Sequence, residues 1–366
     1  MTVAYESVTS VGAVVLDRLA TISGARGASD LRQRLAALGR WVRADLADFE
    51  AELATLPRGA RVVHQAAHHL LDLRGKHLRP LCVALASRFG DGFTPRARGL
   101  AVAVELVHTA TLLHDDVVDL AERRRGQPAA AVVYGNAASI FAGDWLLVAA
   151  LRRIAAAGVD GLLDRMLEVI DEMIMAESLQ LERRGRVVAD RDEYFRIVEG
   201  KTAALFRWAM LAGARSAGMT ADHEAVLAKY GVHLGVAFQA VDDELDFAGP
   251  QMEAPGFTPG AGVGPTGKDP LADLREGKMT YPLIVALERE PSLRARLEAM
   301  IGEDVPKPAE LTAIATGVRA TGALLATREL AEQHVQLALD TLTGLPACTA
   351  RDSLETVALA SLERTS

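Results

Sequence analysis

Aromatic residues are scarce in this chain: Phe, Tyr and Trp make up 5% of 366 residues, although half of all residues are apolar. The core must therefore be built from Ala, Leu and Val. Such a core favours packed helices over sheets, because Ala and Leu are strong helix formers and Ala is a poor strand former. Cysteine is nearly absent too. Cys82 and Cys348 offer no disulfide framework and fit a reducing cytoplasm. Positive charge is in deficit, the formal net charge being −8, which argues against a nonspecific nucleic-acid binder. No apolar run reads as a membrane span. The best stretch, 99–113, falls short of the roughly 20 residues a span needs and contains Glu105 and His108. The start, MTVAYESVTSVGAVV, lacks the basic region of a secretory signal and carries Glu6. These absences set the expectation of a cytoplasmic protein with no transmembrane segment and no nucleic-acid partner.

What the sequence does contain is helical periodicity. In Trp41–Leu56 apolar residues recur at three- and four-residue spacing among charged ones, and similar stretches run through 98–120, 137–154, 161–183, 191–217, 221–247 and 322–344. No window sustains strand alternation. Gly24, Gly27 and Ser29 punctuate the first 40 residues, which predicts a separate N-terminal helical extension at 1–40 and a catalytic domain at 41–366. The sharpest break is Gly249–Thr266, with four prolines and five glycines. That stretch cannot hold a helix, and the expectation is a mobile loop beside the site.

Two acidic clusters carry the chemistry. The first is His114-Asp115-Asp116-Val117-Val118-Asp119, after the apolar run AVAVELVHTATLL. On a helix Asp115 and Asp119 are one turn apart and share a face. Carboxylates beside an apolar stripe need a cation or solvent, and hard oxygen ligands at this spacing suit Mg²⁺, which commonly bridges carboxylates to substrate phosphates. A solvated helix end would show the same residues. The second cluster, Asp242-Asp243-Glu244-Leu245-Asp246 after Phe238-Gln239-Ala240-Val241, repeats the D-D-x-x-D spacing on another apolar helix. Two such helices facing each other would bound a cavity with an acidic mouth and apolar walls, fit for a diphosphate with a hydrocarbon tail. Basic residues accompany them: Gly75-Lys76-His77-Leu78-Arg79, Arg123-Arg124-Arg125, and the Gly-Lys pairs ending at Lys201, Lys268 and Lys278. Glycine lets a backbone come close while Lys or Arg meets phosphate charge.

In the order GKHLRP, ELVHTATLLHDDVVD, RRG, GNAASIFAGD, GKTAALF, GVAFQAVDDELDF and GKDPLADLREGKMTYPL, these pieces resemble the trans-isoprenyl diphosphate synthase (polyprenyl synthetase) family, from about Trp41 onward. The resemblance implies an all-α fold, a single large helical bundle of the isoprenoid synthase type around a deep central cavity, and a homodimer. It implies condensation of isopentenyl diphosphate with an allylic diphosphate, with Mg²⁺ as cofactor, three ions per site, and Mn²⁺ as a substitute. By matching position, Asp115, Asp119 and Asp242 are the principal metal ligands, supported by Asp116, Asp243 and Asp246. Arg124, Lys201, Lys268 and Lys278 match the allylic diphosphate site; Gly75, Lys76, Arg79, His108 and Arg125 match the isopentenyl site. Thr202, Gln239 and the Lys201 carbonyl match groups that stabilise an allylic cation. The chain departs from the family pattern at Leu271 and Ala176, where glycine is usual or frequent, and at Tyr281, where leucine is common.

Trp41, Trp145 and Trp208 read as packing residues, and His114 as a local hydrogen-bonding group. A growing tail would run below Asp115, past Thr111, about 6 Å or one turn away, and its neighbour Ala110. No aromatic side chain closes that level, so deeper residues, Leu151, Ile154 and Met166, are expected to stop a product of C20 or longer. Two rivals stand beside this reading: a noncatalytic or regulatory subunit of a heteromeric prenyl synthase, and a class I terpene cyclase.

Overall fold

The structure, a computed structural model, describes residues 29–73, 75–248, 271–301 and 307–364. Lys268 and the whole stretch 249–270 that follows the second acidic cluster lie outside the described residues.

The described chain is helical almost throughout. It opens with α1 (Ser29–Trp41), α2 (Arg43–Leu53), α3 (Val62–Leu71) and α4 (Leu78–Ser87), and reaches the long α5 (Pro95–Val118). A minimal antiparallel ribbon, β1 (Arg123–Arg124) against β2 (Gln127–Pro128), pairs Arg123 with Pro128 and Arg124 with Gln127. Then come α6 (Ala130–Tyr134), α7 (Asn136–Ala157), α8 (Leu162–Arg183) and α9 (Arg191–Val198). A π-helical turn, Glu199–Ala203, joins α9 to α10 (Ala204–Ser216), which leads to α11 (Ala221–Ala248). The last elements are α12 (Ala272–Arg275), α13 (Tyr281–Arg289), α14 (Leu293–Ile301), α15 (Pro308–Ala320), α16 (Ala323–Leu342) and α17 (Thr349–Leu362).

Local chemistry fixes the ends that matter. Thr94 caps α5 by accepting from the Ala97 amide at 3.4 Å, and Pro95 follows at a position where its missing N–H costs nothing. Asp190 caps α9 through the Glu193 amide at 3.0 Å. The helices pack around two apolar clusters. The larger holds Leu100, Leu106 and Leu113 of α5 with Phe206 and Trp208 of α10. The smaller holds Ile284 of α13, Leu297 of α14 and Ile314 of α15. α11 spans both, giving Leu227, Tyr230 and Leu234 to the first, and Val241, Leu245 and Phe247 to the second. α5 packs most extensively on α7, and α11 on α16 and α10. The two acidic segments thus end long helices anchored deep in the bundle. No described helix is long and apolar enough to cross a membrane.

The expected boundary at residue 40 falls within a helix. α1 runs across it to Trp41, and Leu35 and Leu38 are buried in the same core as Val42 and Phe49. Arg34 also reaches Glu355 of α17 at 3.2 Å. Residues 29–40 belong to the bundle because their apolar face is covered by it.

Leu271 has φ +59, in the left-handed region, and its side chain is fully buried. The resemblance leads to an expectation of glycine here; leucine takes the left-handed backbone and spends its side chain on packing. Leu271→Gly would relieve about 1–2 kcal/mol of backbone strain but forfeit about 2–5 kcal/mol of core packing. The expected outcome is a lower unfolding midpoint in urea; a higher midpoint would show that strain dominates.

Candidate active site

Because α5 is pinned at its capped start and by its buried stripe, its last turn presents Asp115 and Asp119 toward the same open space. Asp115 lines a cavity of about 650 Å³. Asp119 lines an adjoining one of about 130 Å³, and Asp115, Lys201, Thr202, Gln239 and Asp273 line both. Asp116 faces away from both. It is 1% exposed and takes Nε and Nη2 of Arg124 on one oxygen at 2.7 and 2.6 Å. That pairing offsets the cost of burying either charge and keeps the Arg124 guanidinium protonated.

Across the cavity, α11 contributes Asp242 and Asp246 to the larger space and Asp243 to the smaller. Asp243 accepts from Tyr194 Oη at 2.8 Å, Gln239 Nε2 at 2.8 Å and the Tyr281 amide at 3.3 Å. Burial, and then the charge of Asp273, push Asp243 up to about 7 in spite of these bonds. Thr202 Oγ1 donates to Gln239 Oε1 at 2.9 Å, so the amide is fixed at both ends.

The π-helical turn carries Lys201 and Thr202. A Cβ on Gly200 would sit 2.7 Å from the Ala176 Cβ, and one on Gly235 would sit 2.5 Å from the Ala203 Cα. Both glycines therefore let the turn nest between α8 and α11, and a π-turn is a common device at functional sites. Lys201 pairs with Glu177, donates to Gln180 Oε1 at 3.0 Å and lies 3.6 Å from Asp115. Lys278 reaches Asp119 at 2.8 Å and Glu276 at 2.5 Å, and Arg184 also pairs with Asp119. Burial opposes the charge of Lys278, but Asp273, Glu276 and Asp119 hold its pKa well above the ordinary value.

A second basic group gathers on the other side. Arg79, in the first turn of α4, is 9% exposed and stands 4.4 Å over the Phe206 ring. Arg125, at φ +51, donates to the carbonyl of Leu73, and a Cβ on Gly75 would come within 3.0 Å of its guanidinium. A side chain at Gly75 would crowd that guanidinium and push it aside by a few tenths of an ångström. Burial lowers His108 well below the usual histidine range, and Arg79, Arg125 and Arg124 lower it further, so the ring is neutral. Gly75, Lys76, Arg79, His108, Arg124 and Arg125 all line the larger cavity. Its apolar wall includes Ala110, Leu147, Ile170, Met173, Ile174 and Leu205, and Thr111 also lines it.

The structure places three expected wall residues elsewhere. Ile154 and Met166 are 1% and 0% exposed within the main core, and Leu151 packs against that core; none lines the cavity. Leu147, one turn before Leu151, and Ile170, one turn after Met166, take that place. Sequence reasoning also missed Glu177, Gln180, Arg184, Asp273 and Arg364. Arg364 is 5% exposed, lies 3.7 Å over the Phe238 ring and reaches Asp242 at 2.6 Å. Its Nε and Nη1 are buried with no hydrogen-bond partner among the described residues. No local pattern announced it; only the fold brings it to the cavity. His114 behaves as expected of a local group, with Nε2 at 3.2 Å from the Ile140 carbonyl and 3.3 Å from Asp144.

Opposed carboxylate clusters, flanking cations and an apolar floor form one site, and the polyprenyl synthetase family model matches residues 60–317. The chain belongs to the polyprenyl synthetase family. The octaprenyl diphosphate synthase of Escherichia coli K12 is 33% identical over 327 residues, 87% of this chain and 96% of its own. Heptaprenyl diphosphate synthase component 2 of Geobacillus stearothermophilus is 32% identical, over 89% of this chain and 98% of its own. Among solved structures, a polyprenyl synthase from Caulobacter crescentus, complexed with calcium and isoprenyl diphosphate, superposes with a TM-score of 0.83 at 34% identity. That match covers 90% of this chain and 97% of the other. This polyprenyl synthetase is accordingly a prenyltransferase, an enzyme of the polyprenyl diphosphate synthase class. The all-α bundle expected from the sequence is the fold it has.

Proposed function

We propose that this enzyme joins isopentenyl diphosphate to an allylic diphosphate held between the two acidic helices, releases diphosphate, and repeats the step to a product of C20 or longer. The observation that carries this reading is the single cavity with carboxylates of α5 and α11 at one end and apolar side chains at the other. The donor set fits Mg²⁺: the groups are carboxylate oxygens, and Asp243 is raised to about 7 by burial and by Asp273, a cost that a divalent cation would offset. Asp115, Asp119 and Asp242, with Asp243 and Asp246, would hold the metal, three ions in the family's usual count. Asp116 serves by fixing Arg124. When bound, the metal draws charge from the leaving diphosphate.

Arg124, Lys201 and Lys278 face the allylic diphosphate, with Lys268 assigned to the same group by its place in the sequence. Lys76, Arg79, His108, Arg125 and Arg364 face isopentenyl diphosphate. As the allylic carbon–oxygen bond breaks, its electron pair leaves with the diphosphate. The cation left behind meets the Lys201 carbonyl and the oxygens of Thr202 and Gln239, the last two being dipoles already fixed by their own hydrogen bonds. The isopentenyl double bond attacks the cation, and a proton leaves, taken by the departing diphosphate. The apolar wall excludes water that would quench the cation.

Purified enzyme given Mg²⁺, isopentenyl diphosphate and an allylic primer is expected to release polyprenyl diphosphates of C20 or longer, to stop on chelation, and to resume with Mg²⁺ or Mn²⁺. Incubation with the allylic diphosphate alone should give no cyclic hydrocarbon; such a product would favour the cyclase. A chain inactive until a partner is added would be the regulatory subunit. Arg79→Ala tests the division of the two diphosphate sites. Loss of a hydrogen bond to a charged group should raise the isopentenyl diphosphate KM by about tenfold or more, and a defect confined to the allylic KM would overturn the division.

A homodimer accords with an apolar stripe on two helices. Phe141 and Val148 of α7 and Leu167, Ile174 and Leu181 of α8 repeat at seven-residue spacing, and all are exposed, Phe141 by 60%. Such a face suits burial against a second copy, and sedimentation of the purified chain at twice the monomer mass would bear this out.

A further inference from the structure

α17 ends beside the site, and two arginines tie it there from opposite sides of α11. Arg328, on α16, forms an ion pair with Glu244, its Nε 2.9 Å from Oε2, and its Nη1 donates to the carbonyl of Leu362 in the last turn of α17. Two residues past Leu362, Arg364 reaches Asp242 at 2.6 Å. Asp242 and Glu244 are two positions apart on one helix, so their side chains leave it on nearly opposite faces. The rest of α17 has other anchors. Tyr230 of α11 donates to the Leu354 carbonyl at 2.8 Å, Arg34 pairs with Glu355, and Val357, Ala358 and Ala360 are buried in the core. In the last turn Leu362 packs against both apolar clusters, and Arg328 holds its carbonyl.

That last turn sets where Arg364 lies. Its guanidinium covers one ring of the pair Phe206–Phe238, whose centroids are 5.5 Å apart, while Arg79 covers the other. Two buried cations therefore flank one aromatic pair at the cavity wall, and Nε and Nη1 of Arg364 have no hydrogen-bond partner among the described residues. A guanidinium so placed is built for an anion that the cavity admits.

We infer that Arg328 is a positioning residue for isopentenyl diphosphate: by clamping the Leu362 carbonyl to Glu244, it sets Arg364 at the height at which its guanidinium meets that diphosphate. The inference rests on the reading above, in which Arg364 faces isopentenyl diphosphate. Arg328 touches no substrate and acts only through Arg364.

A double-mutant cycle tests this. Arg328→Ala should raise the isopentenyl diphosphate KM about tenfold, the scale of a lost charged hydrogen bond, and leave the allylic KM and the unfolding midpoint nearly unchanged. Arg364→Ala should raise the same KM, and the double variant should be no worse than Arg364→Ala alone. Arg328→Lys, able to keep one of the two contacts, should fall between wild type and Arg328→Ala. If Arg364→Ala is defective but Arg328→Ala binds normally, or if the two defects multiply, the positioning role is wrong while the assignment of Arg364 stands. Equal rises in both KM values, or a fall in stability without a KM split, would likewise overturn it. An unchanged isopentenyl diphosphate KM in Arg364→Ala would remove both the assignment and the inference.

Discussion

Asp115→Ala and Asp242→Ala are each expected to lower turnover by at least about two orders of magnitude, the scale seen when a main electrostatic stabiliser is removed. Asp115 does not hold the fold together: its side chain is 20% exposed, and its partner Lys201 also pairs with Glu177 and Gln180. In Asp115→Ala the loss should therefore appear in turnover and in the Mg²⁺ concentration required, with the unfolding midpoint little changed. Asp242→Ala should lose stability as well, because Asp242 is paired with the buried Arg364. Asp116 supplies the contrast, since it is 1% exposed and pairs with a buried Arg124. Removing it strands a buried cation, at a cost on the order of 3–5 kcal/mol of stability. Near-normal turnover in Asp115→Ala or Asp242→Ala would sink the assignment of the acidic helices to catalysis.

The long helices were legible because a 3.6-residue apolar period survives over many turns: the stretches at 98–120, 137–154, 161–183, 221–247 and 322–344 correspond to α5, α7, α8, α11 and α16. Short helices such as α3, α4 and α13 were not, since ten residues or fewer carry too little period to separate a helix from any other apolar run. The stretch 191–217 reads as one helix, yet Glu199–Ala203 is a π-turn. It goes with the nesting of Gly200 and Gly235 against Ala176 and Ala203, contacts between segments that no local window contains. The same limit hid the partners of the site. Helical geometry put Asp115 and Asp119 on one face, but the pairing of Arg364 with Asp242 spans 122 positions of sequence. Leu271 lies between the cases: its departure from glycine is visible in the sequence, and the left-handed backbone that gives the departure meaning is visible only in the structure.

Chain length depends on the same distinction between a motif and a wall. Ala110 lines the cavity one turn before His114, is 1% exposed, and offers only a methyl group where a ring would block the way. Thr111 turns its hydroxyl back to the His108 carbonyl at 2.8 Å, so that group is already satisfied and leaves the passage to its neighbours. Beyond them the wall is Leu147 of α7 with Ile170, Met173 and Ile174 of α8. The stop is therefore expected one turn nearer the mouth on α7 than Leu151, while Ile154 and Met166 pack the core. Ala110→Phe should put an aromatic ring across the upper cavity and shift the product from C20 or longer toward shorter chains. The first condensation, which occurs above that level, should keep its rate within a fewfold, and this separates a blocked passage from a damaged site. Shortening the lower wall should act in the opposite sense: Leu147→Ala or Ile170→Ala lengthens the product, whereas Met166→Ala costs about 2–5 kcal/mol of stability without changing the distribution. Wild-type enzyme that stops at C15 under excess isopentenyl diphosphate, or an Ala110→Phe variant with the wild-type distribution, would show that the tail takes another path.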